Sequence, residues 1–142
     1  MLQTRDLPFV VCHADIHAGN VHITPAGDLY VVDWDTMILA PKERDLMFAG
    51  IGFGSAQFSP AEQAAFFLQG YGPAEVDAAA LAYYRCERIV QDVYEYCLQI
   101  LFTEGESSDR RNGLEQFRSQ FEPGAVVDRA FLAIEALPPG TG

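Results

Sequence analysis

The sequence predicts an α+β fold, mainly helical, in which one short β-hairpin carries polar loops on a helical body. Two observations predict it. Short apolar runs rich in β-branched and aromatic residues, broken by turn residues, fill the first quarter of the chain. Beyond residue 44 the apolar residues recur at three-and-four spacing within longer segments. At 142 residues, 49% hydrophobic and 20% charged, the chain has the composition of a globular protein and is expected to form one domain over 1–142.

The elements are taken in chain order. PFVVC (8–12) and VHI (21–23) are short apolar runs, PAGD (25–28) is a Pro/Gly turn, and LYVVDW (29–34) is β-branched and aromatic. VHIT and LYVVD therefore read as an antiparallel hairpin, with loop 13–20 leading into it. RDLMFAGIGFG (44–54) reads as a helix with Asp45 as a candidate N-cap. SPAEQAAFFLQGYG (59–72) has a strong helix frame: Ser59 as cap, Pro60 at the first position, Glu62 at the third and Gly70 near the end. Residues 73–105 form the longest helical candidate, with Leu81, Tyr84, Ile89, Val93, Tyr96 and Ile100 on an apolar stripe. ESSDRRNG (106–113) reads as a polar break. LEQFRSQF (114–121) and AVVDRAFLAIEAL (125–137) read as two more helices before a fraying PPGTG tail.

Charge and cysteine usage narrow the classes of partner. A net charge of −11 argues against nucleic acid, which needs basic patches, and is compatible with a cationic ligand or with solubility alone. No run of about 18 apolar residues suggests a membrane span, and the start lacks the long apolar core of a secretory signal. Cys12, Cys86 and Cys97 form no close pair, which suggests free core thiols in a reducing, cytoplasmic setting.

The chemistry-bearing residues gather at strand ends. His13, Asp15, His17 and Asn20 lie in the loop before the hairpin, and Asp33 and Asp35 come after its second strand. Pairing the strands brings both groups to one end of the hairpin. Oxygen donors from Asp15, Asn20 and Asp33 suit a hard cation such as Mg²⁺ that also touches substrate phosphates. A rival reading takes His13, Asp15 and His17 as ligands of a hydrolytic transition metal. It leaves Asn20 and Asp33 without a part.

HADIHAGN, the hairpin and VVDWD together resemble the catalytic and metal-binding loops of the aminoglycoside phosphotransferase family, part of the wider kinase-like fold. His13, Asp15 and Asn20 match its H-x-D-x-x-x-x-N pattern, and Asp33-Trp34 matches its second motif. LAPKERDL (39–46) matches the family's next segment, a Pro a few residues before a helix that opens with Arg-Asp-Leu. The wording of HADIHAGN, DWD, APKERDLMF and YYRCERIVQD resembles the spectinomycin-type branch. The resemblance implies that Asp15 orients the acceptor hydroxyl and takes its proton. It implies that Asn20 and Asp33 hold Mg²⁺ on the phosphates of ATP or GTP. His13 and Asp45 would support the loop. His17 is loop architecture or a ligand contact, and Asp35 is either a second metal contact or a turn former. Glu87, Asp92 and Glu95 are candidates for binding an amino-bearing acceptor; the alternative is a solvated helix face paired with Arg85 and Arg88. The tyrosines at 83, 84, 94 and 96 read as core or rim packing.

The resemblance covers only the C-terminal lobe. Twelve residues before His13 cannot make the nucleotide lobe, and the sole lysine, Lys42, lies beyond the metal loop. IGFGSAQFS (51–59) is a weak candidate for a phosphate loop. Three expectations are open: a piece of a longer kinase, a lobe completed by another chain or copy, or a ligand-binding remnant without catalysis. Apolar surface facing an absent lobe predicts self-association.

Overall fold

The computed structural model describes residues 6–49, 58–102 and 108–139. Contacts divide the chain into two compact units, Met1–Leu81 and Ala82–Thr141.

In the first unit the hairpin forms where the turn chemistry placed it. β2 (Val21–Ile23) pairs antiparallel with β3 (Leu29–Val31), in register Val21↔Val31 and Ile23↔Leu29. Gly27 takes φ +90° in the connecting turn, a conformation that glycine adopts without steric cost. Its N–H donates to Thr24 O at 2.9 Å. The strands are shorter than VHIT and LYVVD, so Val32 and Asp33 lie beyond the pairing.

The structure also contains a strand the sequence reading missed. β4 (Ile38–Pro41) returns antiparallel to β1 (Phe9–Cys12), with Val10 opposite Ala40 and Cys12 opposite Ile38. One face of this pair is covered: Cys12 is 0% and Ala40 5% exposed. On the other face Phe9, Val11 and Leu39 stand 63–68% exposed. The Cys12 thiol donates to the Ala40 and Pro41 carbonyls at 3.6 and 3.5 Å, and burial pushes its pKa up. This cysteine is a core residue, as expected.

The return of β4 delivers α1 (Glu43–Leu46) beneath loop 13–20. Asp45 is not its N-cap, as the sequence suggested. Lys42 occupies that position, and Asp45 is the third helical residue. The Asp45 carboxylate turns away from its own helix to accept the His13 N–H at 2.9 Å and the Ala14 N–H at 2.7 Å. The helix closes at Leu46, well short of residue 54; residues 50–54, and the glycines of IGFGSAQFS, lie outside the described residues. Glu43, 1% exposed, meets Lys42 Nζ at 3.2 Å and accepts the Asp77 N–H at 3.0 Å. A buried carboxylate needs such partners.

The α2 helix (Pro60–Tyr71) starts with the expected capping box. Ser59 Oγ accepts the Glu62 N–H, and the Ser59 N–H donates back to Glu62 Oε2 at 2.7 Å. The hydroxyl and then the N–H of Ser59 hold the Glu62 carboxyl below its ordinary pKa.

The second unit is helical. It contains α3 (Ala78–Phe102) from Ala82 onward, with α4 (Ser108–Ser119) and α5 (Val126–Glu135). The polar stretch read as a break is largely helix: α4 begins at Ser108. Tertiary contacts override its composition. Gln99 Nε2 donates to Asp109 O at 2.9 Å, and Arg110 Nε donates to Ile100 O at 2.8 Å. Gly113 is buried in α4, where an added Cβ would lie 2.9 Å from Gln99 Cδ. Ala82, Tyr84 and Ala130 supply buried packing. Cys86 and Cys97 are half-buried rather than core, and Tyr83 and Tyr94 are exposed.

Two outcomes are expected. Asp45→Asn puts an amide N–H₂ against one of two backbone donors; urea unfolding of the variant should show a loss of about 2 kcal/mol at unchanged m-value. Ser59→Ala should speed amide exchange in the first turn of α2 about fivefold. Because folding lowers the Glu62 pKa, its contribution is complete above the ordinary carboxylate range and disappears as pH falls through the lowered value. In the wild type that turn should therefore lose protection on acidification, while in Ser59→Ala the pH dependence flattens.

Candidate active site

His13 organises the loop through both ring nitrogens. A carbonyl can only accept, so the 2.8 Å contact to Val32 O places the ring proton on Nε2. Nδ1 then accepts the Asp15 N–H at 3.3 Å. Thr36 Oγ1 donates to the His13 carbonyl at 2.8 Å, and the Trp34 ring lies 4.7 Å from the imidazole. His13 is 2% exposed. A ring engaged at both nitrogens has no lone pair left for a metal, which removes the reading of His13 as a ligand. No cluster of three or more His, Cys, Asp or Glu suited to a metal ion occurs among the described residues.

Ala14, next in the loop, sits at φ 68° although it carries a Cβ. This left-handed conformation costs roughly 1–2 kcal/mol and persists only where the surroundings fix it. Here the Asp45 carboxylate holds the N–H groups on either side of the His13–Ala14 peptide. The bend turns Asp15 outward, half-exposed, at the tip.

Asn20 closes the loop from the other end. Its Nδ2 donates to Asp15 O at 2.9 Å and lies 3.4 Å from Asp15 Oδ2. The Asn20 carbonyl accepts the Val32 N–H at 3.0 Å. The bond ties the end of loop 13–20 to the residue before Asp33, so the hairpin brings Asn20 and Asp33 to one end as the sequence implied. With the amide nitrogen committed to Asp15, the Asn20 Oδ1 is oriented as the oxygen donor.

Asp33 is exposed and, like Ala14, left-handed at φ 66°. It stands at the N-cap of the short 3₁₀ turn Trp34–Thr36 but makes no side-chain capping bond. Its carboxylate is therefore not engaged in capping that turn. Asp35 is exposed in the same turn. Amide and carboxylate oxygens at one loop end fit a hard divalent cation better than a thiophilic one.

His17 caps the 3₁₀ turn Ala18–Asn20: its Nδ1 accepts the Gly19 N–H at 3.0 Å, and its Nε2 lies 3.6 Å from Asp15 Oδ2. Beneath it a cavity of about 450 Å³ is lined mainly by apolar side chains, among them Val10, Ile16, Leu46, Phe48 and Phe67. His22 is exposed on β2, away from any polar cluster.

Glu87, Asp92 and Glu95 belong to the second unit. Asp92 pairs with Arg88 at 2.8 Å, as the solvated-face reading has it, and Glu87 accepts the Tyr83 hydroxyl at 3.3 Å. Glu95 is exposed. Sequence reasoning missed Thr36 and Gly19, and placed Trp34 in its motif without foreseeing its contact with His13. Thr36 and Trp34 act through contacts to His13 that no local pattern encodes. Gly19 was legible in principle, as the glycine between a capping histidine and Asn20.

The chain is similar to solved phosphotransferase structures. A crystal structure of spectinomycin phosphotransferase APH(9)-Ia in complex with ADP and spectinomycin matches with TM-score 0.76 and 42% identity over 89% of this chain and 38% of that one. The AMP-bound complex of the same enzyme matches with TM-score 0.73 and 43% identity over 87% of this chain and 37% of that one. The chain thus spans under two fifths of the length of these solved relatives. No curated protein sequence matches it significantly. The model of the phosphotransferase enzyme family (APH) matches residues 1–85, the stretch that holds every loop residue described above, and the chain belongs to that family.

Proposed function

We propose that this chain carries the catalytic and metal-binding loops of an ATP- or GTP-dependent small-molecule phosphotransferase. Its acceptor is a hydroxyl of an aminocyclitol, aminoglycoside or similar amino-alcohol. The observation that carries the reading is the orientation of Asp15 by Asn20, with Asn20 tethered in turn to the residue before Asp33.

In this reading Asp15 accepts the proton of the acceptor hydroxyl as its oxygen attacks the γ-phosphorus. The new P–O bond forms as the bond to the β-phosphate oxygen breaks, and the nucleoside diphosphate leaves with its electron pair. Asn20 Oδ1 and the Asp33 carboxylate, with Asp35 as an additional candidate, would hold Mg²⁺. That ion supplies charge neutralisation at the β- and γ-phosphate oxygens. The protein's own contribution is alignment: a base fixed at a loop tip beside the metal donors. A net charge of −11 favours the approach of a cationic acceptor. Glu87, Asp92 and Glu95 remain the candidate acceptor-binding carboxylates. The free thiols suit a reducing compartment such as the cytoplasm, and no helix among the described residues is long and apolar enough to cross a membrane. The exposed Phe9, Val11 and Leu39 support association with another copy or with a separately supplied nucleotide lobe.

A second reading, a ligand-binding module without catalysis, is favoured by one observation. Lys42 is ion-paired with buried Glu43 at 3.2 Å, so this lysine is engaged within the fold and not at nucleotide phosphates.

The readings separate experimentally. ADP release should be measured on the chain alone and mixed with the nucleotide lobe of the solved spectinomycin relative. Turnover is expected in the mixture, and Asp15→Asn should cut kcat by about 10²–10⁴; a fully active Asp15→Asn protein rules out the assigned base. Calorimetry on the same mixture should show Mg²⁺-dependent ADP binding weakened about tenfold or more by Asp33→Ala. Binding of spectinomycin without any nucleotide binding would instead establish the second reading.

A further inference from the structure

We infer that His17 is a positioning residue for Asp15, holding the carboxylate through its Nε2–H while its other ring nitrogen anchors the loop. This rests on the proposed phosphotransferase reading and extends it to a residue that reading leaves unused.

Three observations carry the inference. First, the tautomer is fixed by geometry. The Gly19 N–H donates to His17 Nδ1 at 3.0 Å, so Nδ1 holds a lone pair and Nε2 holds the proton. Second, that proton faces the carboxylate: Nε2 lies 3.6 Å from Asp15 Oδ2. This is ion-pair distance and beyond a formed hydrogen bond, as expected of a contact that tightens when substrate is bound. Third, the ring site is built for it. A Cβ at position 19 would lie 2.6 Å from His17 Cε1, so only glycine leaves room for the imidazole, and Phe48 meets the ring edge-on at 6.0 Å between centroids.

The same geometry excludes a competing role. A proton relay from Asp15 through His17 would need an acceptor nitrogen facing Asp15. Nε2 is the donor, and Nδ1 is occupied by Gly19. His17 therefore orients the base and does not receive its proton. Asn20 approaches the same Oδ2 at 3.4 Å. Two donors, His17 and Asn20, then limit rotation of the carboxylate.

The test uses two substitutions that divide the ring. His17→Asn keeps an acceptor where Nδ1 stood and loses the Nε2 arm. His17→Gln keeps a donor at the reach of Nε2 and weakens the cap. Long-range ¹H–¹⁵N spectra of the full chain labelled at histidine should place the His17 proton on Nε2. Asp15→Asn should shift that Nε2 resonance and leave the Gly19 amide in place. In the ADP-release assay with the supplied nucleotide lobe, His17→Asn should lower kcat about tenfold at unchanged nucleotide KM. His17→Gln should recover most of that loss.

A merely structural role gives the opposite order, Asn active and Gln impaired, and overturns the inference. So does a His17 proton on Nδ1, or an Nε2 resonance indifferent to Asp15→Asn. A shifted Nε2 resonance together with a fully active Asp15→Asn protein overturns the phosphotransferase role of Asp15 itself, and the positioning role with it.

Discussion

The candidate site depends on a single carboxylate. Asp45 accepts two consecutive backbone N–H groups, at His13 and Ala14, from 32 and 31 residues away. Without those bonds Ala14 has no reason to hold a left-handed backbone that costs an alanine about 1–2 kcal/mol. With them the chain reverses at Ala14 and presents Asp15 at the loop tip. The β1–β4 pairing makes the contact possible by returning α1 to the place where loop 13–20 begins. A charged acceptor suits the task, because hydrogen bonds to an ionised group are roughly twice as strong as neutral ones.

From that anchor the constraints run in a chain. His13, fixed at its N–H by Asp45, fixes the end of β3 through Val32 O and the start of Asp15 through Nδ1. Val32 in turn holds Asn20, and Asn20 holds Asp15. The circuit closes on itself. Side-chain bonds from Asp45, His13 and Asn20 and one backbone bond from Val32 to Asn20 together give this short loop, which has only a single 3₁₀ turn of its own, a defined shape. Ala14 and Asp33, the two non-glycine residues with positive φ among those described, both lie within it.

Much of this was legible in the sequence, and the limits are instructive. The hairpin came from turn chemistry that acts locally: a glycine able to take φ +90° between two β-branched runs. The capping box at Ser59 is equally local. β4 escaped notice because ILAP contains a proline and has no alternation to mark it; its strand character comes from pairing with β1, distant in sequence, which sets Ile38 opposite Cys12 and Ala40 opposite Val10. Asp45 divides in two: the helix cap suggested by its residue type and position is absent, while the loop support that the family resemblance implied is what its carboxylate does at the His13 and Ala14 N–H groups. In α4 the polar composition of SSDRRNG pointed to a break, yet Gln99 and Arg110 supply side-chain bonds to the backbone that propensity cannot anticipate.

The site is therefore local in a way the activity is not. The bonds that join His13, Ala14, Asp15, Asn20, Val32 and Asp45 all run between residues 13 and 45, so much of the loop geometry is a property of this stretch of chain. Phosphoryl transfer asks for more. Its acceleration comes from aligning a nucleotide, a metal ion and an acceptor within a fraction of an ångström. In the proposed function, Asp15 and the Asn20 and Asp33 oxygens supply one side of that alignment. The groups that grip the phosphates must supply the other, and Lys42, bound to buried Glu43, is not placed to serve as one of them. Phe9, Val11 and Leu39 add the same point in apolar terms: exposed together on one face of the β1–β4 pair, they offer surface suited to packing against a further layer.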